Sequence, residues 1–245
     1  MLAGISVEYY TRLERGGARG ASPDVLEAVA RALQLDEAER AHLFDLVRSV
    51  KSPGPLTRRP VHDRVRPTIL RVLDAIVTAP AYVRNGRLDI LAANNLGRAL
   101  YAPVFAMGAS TPNVARYIFL DADACEFFPD WEAIASDAVA ILRAEAGRDP
   151  YDRRLSDLVG ELSTRSDEFR LRWAAHNVKF HRAGIKRLHH PVVGALTLSF
   201  EALEVASDAG QRTNIYTAEP ASSSDVALRL LASWAAGELR TPADQ

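Results

Sequence analysis

Four of the six histidines fall within residues 176–190: His176, His181, His189 and His190. Imidazoles gathered on one face could ligate a metal, but a site needs two or three that converge. His189 and His190 are adjacent, and adjacent residues on a regular strand point to opposite faces. Exposed strand histidines are the ordinary reading, and no metal site is expected. Asp121 and Asp123 flank Ala122 and could hold a cation; capping of a helix that begins near Pro129 is the simpler role. Cys125 is the single cysteine, has no CxxC partner, and is expected to be a buried, inert thiol. The patterns G-x-S-x-G and H-E-x-x-H are absent, as is a glycine-rich phosphate loop. No catalytic residue, cofactor or metal is assigned, and an enzyme is not expected. Trp131, Trp173 and Trp234 lie on apolar helical faces, where core packing is their ordinary role.

Glu8, Arg12 and Arg15 are spaced to share one face of a short helix that Ser6 caps and Gly16-Gly17 ends, with Tyr10 and Leu13 turned inward. Such a face is usually a salt-bridged surface and nothing more. The order of signals around it says otherwise. Leu2-Ala3 reads as the end of a helix and Gly4 as a turn before it. After it, Ser22-Pro23-Asp24 opens a helix with Val25, Val29, Ala32 and Leu33 on one side. Asp36 and Glu39 then cap another, with Leu43, Leu46, Val47 and Val50 as its stripe. On Leu2-Ala3-Gly4-Ile5-Ser6, Tyr9-Tyr10-Thr11-Arg12-Leu13-Glu14-Arg15-Gly16 and Ser22-Pro23, residues 1–50 resemble the Cro/C1-type, or XRE, helix-turn-helix family. The resemblance implies a recognition helix from Ser6 to Arg15 in the major groove of double-stranded DNA. Val7, Glu8 and Arg12 would face base edges; Ser6, Tyr9, Arg15 and Arg19 would hold phosphates. The family carries a first helix and a complete second helix before the turn, whereas Met1 starts at about the last turn of the second. A truncated module is therefore expected. The alternative reading is a small-molecule binding protein that has lost sequence-specific DNA binding through that truncation.

The chain has 245 residues, a net charge of −1 at pH 7 and 48% hydrophobic residues. Nothing global advertises nucleic acid or an acidic membrane, and the apolar content is too high for disorder. The longest uncharged stretch, Ala99 to Ala115, is broken by Pro103, Gly108 and Pro112, so no membrane span is expected and the protein reads as cytoplasmic. Residues 51–66 form a basic, proline-rich linker with Lys51, Arg58, Arg59, Arg64 and Arg66 against Asp63. Leu120 to Leu142 has no Lys or Arg, and Lys179 to His190 has no acid; solvated faces are the ordinary reading of both runs.

Residues 67–245 alternate between periods. Pro80–Val83 and Leu88–Ala92 read as strands around Asn85-Gly86, a type I′ hairpin signal. Pro129 to Ala146 follows a 3.6-residue period through Trp131, Ile134, Ala138, Ile141 and Leu142. Leu155 to Leu162 continues it, and Phe169 with Trp173 begins a last helix. From Asn177 the period becomes two, with a turn expected at Ala183-Gly184 and longer strands over Val192–Val205 and Arg212–Ala218. Ser222 to Ser224 cap a closing helix, Asp225 to Ala236. The class is α+β: a truncated all-α helix-turn-helix module, then an antiparallel sheet with a helical insert.

That order resembles a PAS-like sensor and, more closely, the MmyB-like ligand-binding domain. The residues that carry it are Pro80-Ala81-Tyr82-Val83, Asp89-Ile90-Leu91-Ala92, Asn94, Phe119-Leu120-Asp121, Asp130-Trp131-Glu132 and Ala146-Gly147-Arg148-Asp149-Pro150. Further on come Leu158-Val159-Gly160-Glu161-Leu162-Ser163, Glu168-Phe169-Arg170, Trp173, His176, His190-Pro191-Val192-Val193-Gly194, Tyr216-Thr217-Ala218-Glu219-Pro220 and Leu230-Leu231-Ala232-Ser233-Trp234. Ala93 stands where the family usually has Trp, and Asn177 where it usually has Asp. The resemblance implies a regulator, expected as a homodimer, that alters DNA binding on taking up a small lipid-like or aromatic molecule; fatty acids fit that description, and nothing in the sequence selects one. Strand parity would line the cavity with Leu91, Ala93, Trp173, Val178, Leu198, Phe200 and Tyr216, with Asn94 and His176 as its few polar groups.

The recognition helix can be tested directly. Arg12→Ala should cost about 1–3 kcal/mol on the cognate site and relax preference at one base. Arg15→Ala should weaken all sequences alike and flatten the salt slope by about one. Titration of cognate and scrambled duplexes separates the two; equal losses on both for Arg12→Ala would remove its base contact.

Overall fold

Ser22 caps a helix as its type predicts: its hydroxyl accepts the Val25 N–H at 3.3 Å, with Pro23 and Asp24 in the first turn of α1 (Pro23–Ala32). The computed structural model describes residues 21–35, 63–108, 111–175, 183–208 and 210–238, together with Ser6, Thr11, Arg40, Leu43, Phe44 and Val47. Within the first part, Ala21, Leu26 and Val47 are buried against Phe44, and Arg40 pairs with Glu27 at 2.9 Å. Tyr10, Leu13, Asp36, Glu39, Leu46, Val50 and residues 51–62 of the expected linker lie outside the described residues.

Arg66 precedes α2 (Pro67–Ala75), with Pro67 at the first helical position, where its missing N–H costs nothing. Strands β1 (Ala81–Arg84) and β2 (Ile90–Ala93) pair antiparallel. A helical insert follows: α3 (Asn95–Leu100), α4 (Ala102–Ala106), α5 (Val114–Leu120), α6 (Ala124–Phe127), α7 (Trp131–Arg148), α8 (Arg153–Arg165) and α9 (Asp167–Ala174). Strands β3 (Ala183–His190), β4 (Gly194–Glu204) and β5 (Arg212–Thr217) complete a five-stranded antiparallel sheet in the order β2-β1-β5-β4-β3, before α10 (Ser223–Glu238).

The alternation of each strand sorts its side chains. One face carries Tyr82, Leu188, Leu196, Leu198 and Tyr216 into the large core beneath α3–α10. On the other face Ala81, Val83 and Ile215 are covered by Leu73, Ile69 and Ile76 of α2 and its end. The helical periods in α7, α8 and α9 match the sequence reading, with Ala138, Leu142, Leu155, Leu158, Leu162 and Phe169 all buried.

Two local expectations are corrected. A type I′ turn needs positive φ at both central residues, but Asn85 and Gly86 are not among the positive-φ residues; Leu88 is, at 65°. The Asn85 carboxamide organises a longer loop instead, accepting the Arg87 and Asp89 N–H groups at 3.0 Å each. Ala183-Gly184 is no turn either. Ala183 pairs with Glu201 and Gly184 with Phe200, because the long β4 offers a ladder for both.

Asn94 and Gly97 join the sheet to the insert. Asn94 is 5% exposed, and its carboxamide oxygen accepts from Ala81 N (3.0 Å) and Gly97 N (2.7 Å). Its nitrogen donates to the Ile76 and Ala79 carbonyls at 2.6 and 2.8 Å. A Cβ on Gly97 would stand 2.3 Å from the Ala81 carbonyl oxygen, so α3 can approach β1 only with glycine there. At the other end of the sheet, His190 is 1% exposed; its Nε2 lies 2.9 Å from the Ala99 carbonyl and its Nδ1 3.2 Å from the Val192 N–H. An N–H facing Nδ1 and a carbonyl facing Nε2 require the neutral Nε2–H tautomer.

Gly97→Ala should lower stability by about 1–3 kcal/mol through overpacking, despite alanine's helix preference. Gly160→Ala, in open space on α8, should raise it by about 0.5–1 kcal/mol. Urea midpoints of the two variants check the contrast. Burial, opposed in part by the Ala99 carbonyl, lowers the His190 pKa below its ordinary value. The unfolded chain then binds more protons than the native one, so His190's contribution is complete above about pH 6.5 and is lost as pH falls through the native pKa. Melting temperatures at pH 7.5 and 5.5 should show a smaller acid loss in His190→Gln than in wild type; equal losses would place the titration elsewhere.

Candidate functional site

The residues expected to touch DNA fall mostly outside the described residues: Val7, Glu8, Tyr9, Arg12, Arg15 and Arg19. Ser6 is described and exposed. Of the expected ligand contacts, His176 and Val178 also lie outside. Ala93, Leu198, Phe200 and Tyr216 share the helix-covered face of the sheet. There the Tyr216 hydroxyl lies 2.8 Å from that of Tyr101 and 3.3 Å from that of Tyr82. Burial pushes the Tyr101 and Tyr216 phenols well above their ordinary value, so both stay neutral. Trp173 stacks on Phe169 with centroids 5.5 Å apart, and the Arg143 guanidinium sits 4.5 Å over its ring. Asn94 is corrected from a pocket group to a helix cap, because four backbone groups saturate its carboxamide.

Other single-residue expectations change for reasons of phase. Cys125 is exposed, since one-turn α6 buries Ala124 and Phe127 and leaves the residues between them outside. Trp234 is 38% exposed because α10 turns Leu228 and Leu231 inward; Trp131 is half-buried against the core, its indole N–H on the Ile118 carbonyl at 2.9 Å. Of the adjacent histidines, His189 is exposed and His190 buried. Asp121 accepts the Asp123 N–H at 2.9 Å and caps no part of α7.

Clefts open at two ends of the domain. The first, of about 440 Å³, lies between α4, α5, α6 and the β3–β4 turn. Pro103, Ala106, Met107 and Phe127 line it with Tyr117, while Asp121, Asp123 and Glu126 supply carboxylates and His189, His190 and Pro191 the opposite wall. Burial raises the Tyr117 phenol, and the charges of Asp121, Asp123 and Glu126 raise it further, so it remains protonated. The second cleft, of about 270 Å³, is lined by Asp63, Asp89, Leu91, Arg98, Phe105 and Arg154 among others; Leu91 is the expected ligand contact that borders it.

Beside the second cleft lies a charge network centred on Arg87. The Arg87 side chain is 5% exposed, with Nη1 2.9 Å from Asp152 and Nε 3.1 Å from Asp89. Its remaining nitrogen pairs with Asp63, which also pairs with Arg154. Burial would depress the guanidinium, but the Asp152 hydrogen bond and the charges of Asp89 and Asp152 outweigh it and raise its pKa. Arg66 pairs with Asp208 at 2.6 Å, and the Gln211 amide donates to the Arg64 carbonyl at 3.2 Å. Residues 63–66, the end of the expected linker, are thus bound to the C-terminal domain. On β3, burial pushes the Lys186 amine down to about 8; its Nζ lies 5.1 Å from the Phe200 ring centroid.

Sequence reasoning missed Tyr117, Met107 and Phe127 as one wall, and Arg87 with its three carboxylates. The acidic run from Leu120 was visible, but its meeting with the β3–β4 turn was not.

Two family models match the chain. Residues 65–231 match the MmyB-like transcription regulator ligand binding domain, and residues 1–43 match a helix-turn-helix domain. No curated protein matches the chain. No helix among the described residues is long and apolar enough to cross a membrane. A DNA-binding module and a ligand-binding module on one chain make a ligand-regulated transcription regulator, and this chain belongs to the MmyB-like regulator family.

Proposed function

We propose that this regulator binds double-stranded DNA through the major groove as a homodimer in the cytoplasm, and that a small molecule with a lipid-like or aromatic body sets its affinity. The observation that carries this is the attachment of the segment leading from the helix-turn-helix region. Asp63 pairs with Arg87 and Arg154, and the same Asp63 lines the 270 Å³ cleft. A ligand that shifts either arginine therefore acts on the chain that leads to the DNA-binding module. The 440 Å³ cleft, within the usual size for a small ligand, offers apolar and aromatic walls in Met107, Phe127 and Pro103. A second copy fits the two-fold logic of helix-turn-helix operators. On α10, Val226, Leu230 and Trp234 leave an apolar stripe at helical spacing for it. The role is binding rather than catalysis: the buried polar side chains Asn94 and His190 are occupied by backbone hydrogen bonds.

Operators selected from a random duplex pool provide the test, with native mass spectrometry to identify any molecule retained by the protein. Removing or restoring that molecule should change DNA affinity about fivefold or more. Asp63→Asn should keep DNA binding and lose most of that response. An unchanged response in Asp63→Asn would place the coupling elsewhere, and no ligand effect on wild type would overturn the reading.

A further inference from the structure

The 440 Å³ cleft has a charge that its size alone does not disclose. Asp121, Asp123 and Glu126 all border it, no Lys or Arg lines it, and none of the three carboxylates has an ion-pair partner among the described residues. The three do not converge as metal ligands: among the described residues no group of His, Cys, Asp and Glu is placed to hold a metal ion. His190 adds no compensating charge, because its two hydrogen bonds hold it neutral.

Tyr117 is the second, independent sign. The residue is 1% exposed, yet it lines the cleft, and its hydroxyl has no hydrogen-bond partner among the described residues. Its ring stands edge-on to Phe127, with centroids 5.6 Å apart at 87°, so the two rings present aromatic surface as well as a free hydroxyl. The side chain is otherwise enclosed, but its hydroxyl is not fully buried: it opens onto the cleft, where a bound molecule can reach it. Three uncompensated carboxylates, an aromatic wall and a free phenol attract a cation and repel an anion. Pro103 and Met107 extend the wall for an apolar body.

We propose that the cleft between α4, α5, α6 and the β3–β4 turn binds a small organic cation, an ammonium carried on an aliphatic or aromatic body. The ammonium sits among Asp121, Asp123 and Glu126 above the Tyr117 phenol, and the body lies along Phe127, Met107 and Pro103. This rests on the reading that the C-terminal domain holds a regulatory small molecule, and it names the charge of that molecule.

Calorimetric titration of the full chain with octylamine, 2-phenylethylamine and octanoate tests it, all below micelle-forming concentrations. Both amines should bind, more weakly as salt rises, and octanoate should not compete for the cleft. Asp123→Asn with Glu126→Gln should weaken the amines about tenfold, as two partly exposed charge contacts are lost. Circular dichroism of that variant confirms folding, and Tyr117→Leu should weaken the amines without touching any acid. Preference for octanoate, or amine binding indifferent to the double variant, would overturn the cation while leaving a ligand-regulated protein intact. Binding of no probe would also overturn it; whether the protein answers to any ligand is then decided by the molecule it retains and that molecule's effect on DNA.

Discussion

A guanidinium that is 5% exposed is stable only where carboxylates surround it, and Arg87 has gathered three from distant parts of the chain. Asp89 lies in the same loop, Asp152 at the start of α8, and Asp63 ahead of α2. Two of them also serve their own elements. Asp152 caps α8 through its other oxygen, accepting from Arg154 N at 2.9 Å and Leu155 N at 3.2 Å. Asp89 accepts from Asn85 and Asn113 side chains at 2.9 and 2.7 Å. Asn113 in turn caps α5, accepting the Arg116 N–H at 2.9 Å. The β1–β2 loop, the helical insert and the segment from the DNA-binding region are therefore held by one buried charge. Loss of any one carboxylate would leave that charge short of a partner.

The same domain keeps its sheet interior closed. Asn94 saturates four backbone groups, Gly97 lets α3 rest on β1, and the Tyr82–Tyr101–Tyr216 hydroxyls satisfy one another. Burial there raises the Tyr101 and Tyr216 phenols and keeps charge off both. Space for a ligand lies instead at the edges, where short helices α4 and α6 cannot cover the sheet completely. At one edge the walls carry uncompensated acids; at the other, the Arg87 network reaches the chain that leads to the DNA-binding module. The two clefts thus lie at different edges of one core.

What the sequence determined by itself is local. Ser22-Pro23-Asp24 begins a helix because capping needs only three consecutive residues. The 3.6-residue period through Ile134, Ala138 and Leu142, and through Leu155, Leu158 and Leu162, placed α7 and α8 because a helix presents its own apolar face. The period of two over Val192–Val205 and Arg212–Ala218 marked β4 and β5 for the same reason. Helix-turn-helix and MmyB-like residues were legible in order, and with them the function class. Only the tertiary structure decided the rest. The Asn85-Gly86 turn gave way to a loop because Arg87 must reach Asp63 and Asp152, which no local rule contains. At Gly86 the neighbour is distant in sequence too: a Cβ there would meet Glu145 Oε2 at 2.1 Å and would displace that side chain. Asn94 has a polar type that suits a pocket or a cap, and only its four backbone neighbours chose the cap. The acidic run from Leu120 became a cleft wall because the β3–β4 turn, far along the chain, closes over it. Spacing fixes which side chains share a face; what that face meets depends on contacts between segments that spacing does not connect.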